Sequence, residues 1–134
     1  MRMFDVQGIE IVASRDQVFE FVRKPGNLPR WAQAFVSAGD GRARLETPSG
    51  AVDIALDVSA DAAAGTVDWR LAFPDGGVGI AQSRVTETTR GTCIYTFVLH
   101  APPVALEQVE GALEAQSATL RSELAMLKSL MESR

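Results

Sequence analysis

From Phe4 to Ala13, Phe, Val and Ile alternate loosely with Asp, Gln and Glu, and a period near two predicts a strand. Gly8 interrupts the alternation and predicts a bulge there. The period then lengthens. Val18, Phe21 and Val22 fall on one helical face behind Ser14-Arg15-Asp16-Gln17, a Ser cap with Gln three residues on. Pro25-Gly26 ends that helix, and Asn27 is placed to cap a second, very short one around Pro29 to Gln33. Trp31 and Phe35 lie at and just beyond this elbow.

Strands and turns follow. Gly39-Asp40-Gly41, Pro48-Ser49-Gly50, Ala60 to Gly65, Pro74-Asp75-Gly76-Gly77 and Arg90-Gly91 divide the chain into six strands near 34–38, 42–47, 51–59, 66–73, 78–88 and 92–100. Connections this short imply an antiparallel meander. Ala101-Pro102-Pro103 then opens a long helix to about Met131. Leu106, Val109, Leu113, Gln116, Leu120, Leu124, Leu127 and Met131 share one stripe of it at helical spacing. Strand, two short helices, six strands and a long helix make an α+β layout, with helices on one face of a seven-stranded antiparallel sheet.

Composition narrows the function classes. The chain of 134 residues suits a single domain spanning 1–134. A formal net charge of -4, without a Lys or Arg run, argues against nucleic-acid partners and anionic membrane surfaces. No apolar stretch approaches the roughly 20 residues of a membrane span, and the start lacks the apolar core of a secretory signal. With one cysteine, Cys93, no intrachain disulfide forms, and a cytoplasmic protein is the simplest expectation.

The element order resembles the START/Bet v 1-like superfamily, in its bacterial polyketide cyclase/dehydrase-like (SRPBCC) branch. The residues that carry the resemblance are the capped "ASRDQVFEFV", the Trp of "NLPRW", the "GTVDWRLAFPDG" hairpin, the "RGTCIYTFVL" strand and the final "LRSELAMLKSLMES". The resemblance implies a helix-grip fold, in which a curved sheet wraps a long C-terminal helix around an apolar cavity closed at one end by the short helices. It also implies a small hydrophobic ligand, lipid- or polyketide-like, in that cavity. Members of the superfamily bind such ligands, cyclise or dehydrate them, or assist other proteins, so fold alone does not choose.

Pairing arithmetic suggests which side chains line the cavity. If Asp75-Gly76 and Arg90-Gly91 are two-residue turns, Trp69 lies opposite Gln82, Val67 opposite Arg84, and Arg84 opposite Phe97. Val67, Trp69, Leu71, Phe73, Val78, Ile80, Tyr95, Phe97 and Leu99 then share an inward face and carry Gln82 and Arg84 with them. Gln116 interrupts the helical stripe, and Trp31 and Phe35 cover the mouth. The expected ligand-binding set is therefore Trp31, Phe35, Trp69, Gln82, Arg84, Tyr95, Phe97 and Gln116, a few polar groups in an apolar pocket.

Catalytic chemistry is thinly represented. His100 is the only histidine and falls on the outer face. One His and one Cys do not make a zinc site, and no cofactor is expected. Cys93 reads as a small buried hydrophobe. Asp53, Asp57 and Asp68 read as solvated charges. No catalytic residue is assigned. The leading expectation is a binding module for a small hydrophobic ligand, without nucleic acid or membrane insertion, and with homodimerisation left open. The alternatives are a cyclase or dehydratase-type enzyme, with Arg84 or Tyr95 polarising a carbonyl, and a protein-interaction module.

Overall fold

A computed structural model describes residues 2–133, apart from the side chain of Leu106. The chain begins with strand β1 (Phe4–Ile11), and Ser14 then caps helix α1 (Arg15–Val22). Ser14 Oγ accepts from the Gln17 backbone N–H at 3.2 Å, and Gln17 Oε1 accepts in return from the Ser14 backbone N–H at 3.3 Å. α1 buries Val18, Phe19, Phe21 and Val22. A 3-10 turn over Pro25–Asn27 leads into the single-turn helix α2 (Leu28–Trp31). Asn27 does not cap α2 with its side chain. Its Nδ2 instead donates to Phe21 O at 2.9 Å and fixes the elbow between the helices.

Six further strands follow: β2 (Phe35–Gly39), β3 (Arg42–Thr47), β4 (Gly50–Asp61), β5 (Thr66–Ala72), β6 (Val78–Glu87) and β7 (Cys93–His100). They join β1 in one antiparallel sheet of order β1-β7-β6-β5-β4-β3-β2, so β1 and β2 are its open edges. The expected bulge at Gly8 is not formed. Gly8 pairs with Thr96 in an unbroken β1–β7 register from Phe4↔His100 to Ile11↔Cys93.

The long helix α3 (Val109–Glu132) starts later than the periodicity suggests, after a 3-10 turn over Leu106–Gln108. Two consecutive prolines, without N–H groups and with restricted φ, hold the preceding segment extended. Ala101 N–H donates to Met3 O at 2.8 Å, prolonging the β1–β7 ladder. α3 buries Val109, Leu113, Ser117, Leu120, Leu124, Leu127 and Met131. Gln116 is exposed, and the stripe passes through Ser117 instead. Leu106, counted on the stripe by the sequence, has its side chain outside the described residues. These elements make the expected α+β helix-grip arrangement.

Both hairpins flanking β6 differ from expectation by one residue. Phe73 N–H donates to Gly77 O at 2.9 Å and Gly76 N–H to Phe73 O at 3.0 Å, so Pro74-Asp75-Gly76 form the loop, with Gly76 at φ 91°. At the other end Thr88 N–H donates to Thr92 O at 3.0 Å around Thr89-Arg90-Gly91, with Gly91 at φ 81°. A three-residue loop ending on a left-handed glycine replaces the two-residue turn. Because side chains alternate with period two, the first shift turns the whole of β6 over, and the second restores β7 to its expected phase. Val67 therefore pairs with Ser83, Trp69 with Ala81, Ser83 with Phe97 and Val85 with Tyr95.

Gly65, before β5, ties the helices to the sheet. It sits at φ 73°, and its carbonyl accepts from Val85 N–H at 2.8 Å. Arg15 of α1 reaches the same turn and donates from Nη2 to the carbonyls of Ala62 and Ala63. A Cβ on Gly65 would lie 2.5 Å from Val85 O and 3.0 Å from Arg15 Nη2.

Candidate functional site: the interior between sheet and C-terminal helix

The corrected register explains how the interior holds several large rings. On the inward face β6 presents Gly79, Ala81, Ser83 and Val85, mostly small residues, between β5 and β7. Ala81 lies opposite Trp69 and Ser83 opposite Phe97, so small residues leave room for large ones. Tyr95 is at the centre and has no exposed surface. Trp31, delivered by the α1–α2 elbow, meets it edge-on, with ring centroids 6.1 Å apart and planes at 83°. Phe97 lies 6.4 Å from Tyr95, and Trp69 stacks on Phe97 at 5.7 Å. These four rings form one continuous row, with separations in the favourable range for aromatic pairs. Phe35, on β2 opposite Leu45, is half-buried against the same core.

Trp31 Nε1 and Trp69 Nε1 are buried without a hydrogen bond, whereas the Tyr95 hydroxyl lies against Ser83 and the Ser117 hydroxyl against Asp5. Ser83 Oγ donates to Val67 O at 2.7 Å and lies against the Tyr95 hydroxyl, a contact that lowers the Tyr95 pKa against the larger effect of burial. Burial holds the Tyr95 hydroxyl protonated far above the usual tyrosine range. A buried polar group left unpaired costs about 1–3 kcal/mol, so each indole N–H favours a partner.

Glu123 stands half-buried at the flank of the α3 stripe. Its Oε2 accepts from the Gln33 backbone N–H at 2.6 Å, linking α3 to the segment after α2. Burial pushes its pKa up to about 7, and its charge acts on Tyr95. At the β1 side, Gln7 Nε2 donates to Asp5 Oδ2 and to Ser117 O, both at 2.9 Å, and the first bond holds Asp5 below its ordinary pKa. Cys93 is fully buried, and burial raises its thiol pKa.

The structure thus brings Trp31, Trp69, Tyr95 and Phe97 together, with Phe35 near them, and separates off the polar residues named from the sequence. Arg84 is exposed on the outer face, where its Nε donates to Ala64 O at 3.2 Å. Gln82 shares that face and bonds His100 Nε2 through its Oε1. Val78 and Ile80, expected inside, are also on the outside at 39% and 41% exposure. All four moved with the one-residue turn of β6, and Gln116 lost its place to Ser117 on α3. Ser83 and Ser117, both buried, and the half-buried Glu123 are polar residues that the sequence reading missed. Ser117 was findable, since it lies at i+4 from Leu113 and i−3 from Leu120.

Two concave regions open at the surface. One, of about 520 Å³, lies beside α1 and α2 among Asp16, Glu20, Lys24 and Arg30, with the Arg30 guanidinium 5.0 Å from the centre of the Phe21 ring. The other, of about 270 Å³, runs along the seam between β1 and α3, lined by Gln7, Gly8, Ile9, Arg121 and Leu124. Among the described residues no group of three or more His, Cys, Asp or Glu is arranged to hold a metal ion, and no helix is long and apolar enough to cross a membrane.

No protein-family model and no curated protein matches the chain. Solved structures do match. XoxI from Bacillus cereus superposes with a TM-score of 0.75 at 17% identity, covering 97% of this chain and 96% of that one. BexL, a di-domain ARO/CYC of the BE-7585A biosynthetic pathway, gives 0.73 at 19% identity, covering 96% of this chain and 46% of its own. A START superfamily protein from Mycobacterium smegmatis gives 0.69 at 13% identity, covering 98% and 99%. Sheet order, elbow and long helix, together with these superpositions, show that the chain has the START/Bet v 1-like (SRPBCC) helix-grip fold.

Proposed function

We propose that the chain binds a small apolar molecule between the sheet and α3, against the row Trp31–Tyr95–Phe97–Trp69. The observation that carries this reading is the buried row itself, whose end rings, Trp31 and Trp69, keep indole N–H groups without a hydrogen-bond partner. A ligand with an acceptor can pair with those N–H groups, and its apolar body replaces contacts of the rings with one another. The seam between β1 and α3 offers a way in, because Gln7 and Ile9 there pair directly with Phe97 and Tyr95. The fold supports the reading, since an ARO/CYC protein and a START superfamily protein share it. Native mass spectrometry of freshly purified protein tests it. The expected result is an added mass that denaturation releases. A bare chain that also fails to take up any of a panel of apolar compounds would overturn the reading.

An enzymatic use of the same interior is favoured by one observation. Glu123, with a pKa of about 7, is suited to moving a proton near neutrality, and it acts on the ring row through Tyr95. Cyclisation of a bound ligand would appear as an isomer of the added compound and dehydration as a product lighter by one water, and Glu123→Gln would abolish either. An unchanged compound after prolonged incubation leaves binding as the function.

A further inference from the structure

Gly8 has no backbone reason to be glycine. It lies in an unbroken strand with φ outside the left-handed region. A Cβ there would meet Thr96 Cγ2 at 3.4 Å and Tyr95 O at 3.6 Å, ordinary contact distances. What surrounds it is a bare edge. Ala101 N–H donates to Met3 O, so the odd-numbered residues of β1 bond β7, and the even-numbered ones turn their N–H and C=O groups to the open side. α3 caps that side at its far end: Lys128 Nζ donates to Glu10 O at 2.9 Å, and Glu132 Oε2 accepts from Val12 N–H at 2.8 Å. The Val6 N–H meets the Asp5 carboxylate. Among the described residues nothing serves the carbonyls of Phe4, Val6 and Gly8 or the N–H groups of Phe4 and Gly8. Phe4 and Val6 stand beside them on the outer face, 53% and 54% exposed. The other edge, β2, is protected: it is short, shifts register between Phe35 and Ser37, and packs on α2.

Independently of any ligand, we propose that this edge pairs with the same edge of a second copy of the chain, antiparallel and centred on Val6, to give a homodimer with one continuous sheet. A two-fold axis at that point sets Val6 opposite the partner's Val6, and Phe4 opposite the partner's Gly8. These residues all face the edge, so each pair exchanges both main-chain hydrogen bonds. The Val6 N–H leaves Asp5, whose carboxylate keeps Gln7 and Arg2. The register is self-complementary on both faces. Outside, the Phe4 ring covers the partner's Gly8 and shields its backbone, and Arg2 meets the partner's Glu10. Inside, Gln7 lies opposite the partner's Asp5. A register two residues further on would need Glu10 O, which Lys128 already occupies. One two residues back would pair Gly8 with Arg2, ahead of the start of β1. Gly8 also lines the groove between β1 and α3, so the partner's strand borders its mouth, and entry by that seam belongs to the monomer.

Sedimentation velocity of the full chain between about 10 μM and about 1 mM should show the mass rise from monomer toward dimer, the range for an interface of one strand and a few side chains. Val6→Lys sets like charges face to face on the two-fold and should keep the chain monomeric throughout that range. Gly8→Pro removes an edge N–H, spares the ladder to β7, and should do the same. Circular dichroism reports whether each variant is folded. Mixing Val6→Lys with Val6→Glu should restore the dimer, because residue 6 meets residue 6. Val6→Cys should form a disulfide-linked dimer on mild oxidation, whereas Phe4→Cys, about 13 Å from its own counterpart, should not. The native Cys93 is fully buried and does not compete. A chain that stays monomeric at the highest concentration, even one whose edge takes up an unrelated extended peptide, would overturn the proposal. So would a dimer that persists in folded Val6→Lys and Gly8→Pro, or one that Phe4→Cys links and Val6→Cys does not.

Discussion

Replacing Glu123 by Gln should make the protein more stable at neutral pH and leave it unchanged in acid. The carboxylate accepts one backbone hydrogen bond from Gln33 at 2.6 Å, and burial dominates that bond to lift its pKa from 4.5 to about 7. When a carboxylate's pKa is raised in the folded state, the folded protein holds a proton that the unfolded chain has already released. Stability therefore falls as pH climbs from about 4.5 to about 7 and stays low above that. Taken in full, this shift corresponds to about 3 kcal/mol, and partial exposure of the side chain brings the expectation to roughly 1–3 kcal/mol. Gln keeps an acceptor for the Gln33 N–H and carries no charge. Urea denaturation of both proteins at several pH values between 4 and 8 should give coincident curves at the acid end and a gap that opens toward pH 8, the variant being the more stable. Asp5, Glu10, Glu20 and Glu132 have lowered pKa values and act in the opposite sense, losing stability as pH falls through their range, but they are common to both proteins and cancel in the difference. A gap of constant size across the range, or a variant less stable at pH 8, would refute the assignment of Glu123 as a carboxylate strained by burial.

Gly65→Ala should cost roughly 2–4 kcal/mol by denaturant titration, because its Cβ would lie 2.5 Å from Val85 O on a backbone at φ 73°. Wild-type-like stability would mean that this turn is free to move. Leu124→Ala should cost about 2–5 kcal/mol, since Leu124 is 3% exposed on the helix face against the sheet; an unchanged melt would put α3 outside the core. Arg84→Met should leave stability within about 0.5 kcal/mol and ligand affinity unaltered, because Arg84 is exposed on the outer face; a selective loss of acid binding would reinstate it in the site.

The order of elements was legible because each rests on a local signal: the Ser14–Gln17 capping box, the Pro25 and Pro29 breaks, and glycine-bearing turns at short intervals. The inward placement of the aromatic residues was legible for a similar reason. Trp69 precedes the misjudged turn, and Tyr95 and Phe97 follow a second one whose error cancelled the first. The placement of Gln82 and Arg84 was not legible, because it depended on β6, a single strand between two loops whose lengths set its register. Choosing between a two- and a three-residue loop at Pro74-Asp75-Gly76-Gly77 is choosing which side chain faces inward, and apolar count pointed the wrong way. Val78 and Ile80 outweigh Gly79 and Ala81 in hydrophobicity, yet the small residues are inside because Trp69 and Phe97 occupy the space above them. Glu123 was illegible for another reason: its burial arises from the meeting of α3 with the segment after α2, a contact distant in sequence.

The central claim is that a ligand binds against the ring row between the sheet and α3 and pairs with indole N–H groups there. The two indole N–H groups report on this directly, since the chain has two tryptophans and both have Nε1 buried without a partner. Nitrogen–proton correlation spectra of the labelled protein resolve the two indole signals, and Trp31→Phe assigns them. On titration with a compound that calorimetry shows to bind, at least one indole proton should move downfield, as expected for a newly formed hydrogen bond, and the other should shift with it. Saturated binding that leaves both indole signals in place would put the ligand elsewhere on the molecule and contradict the account.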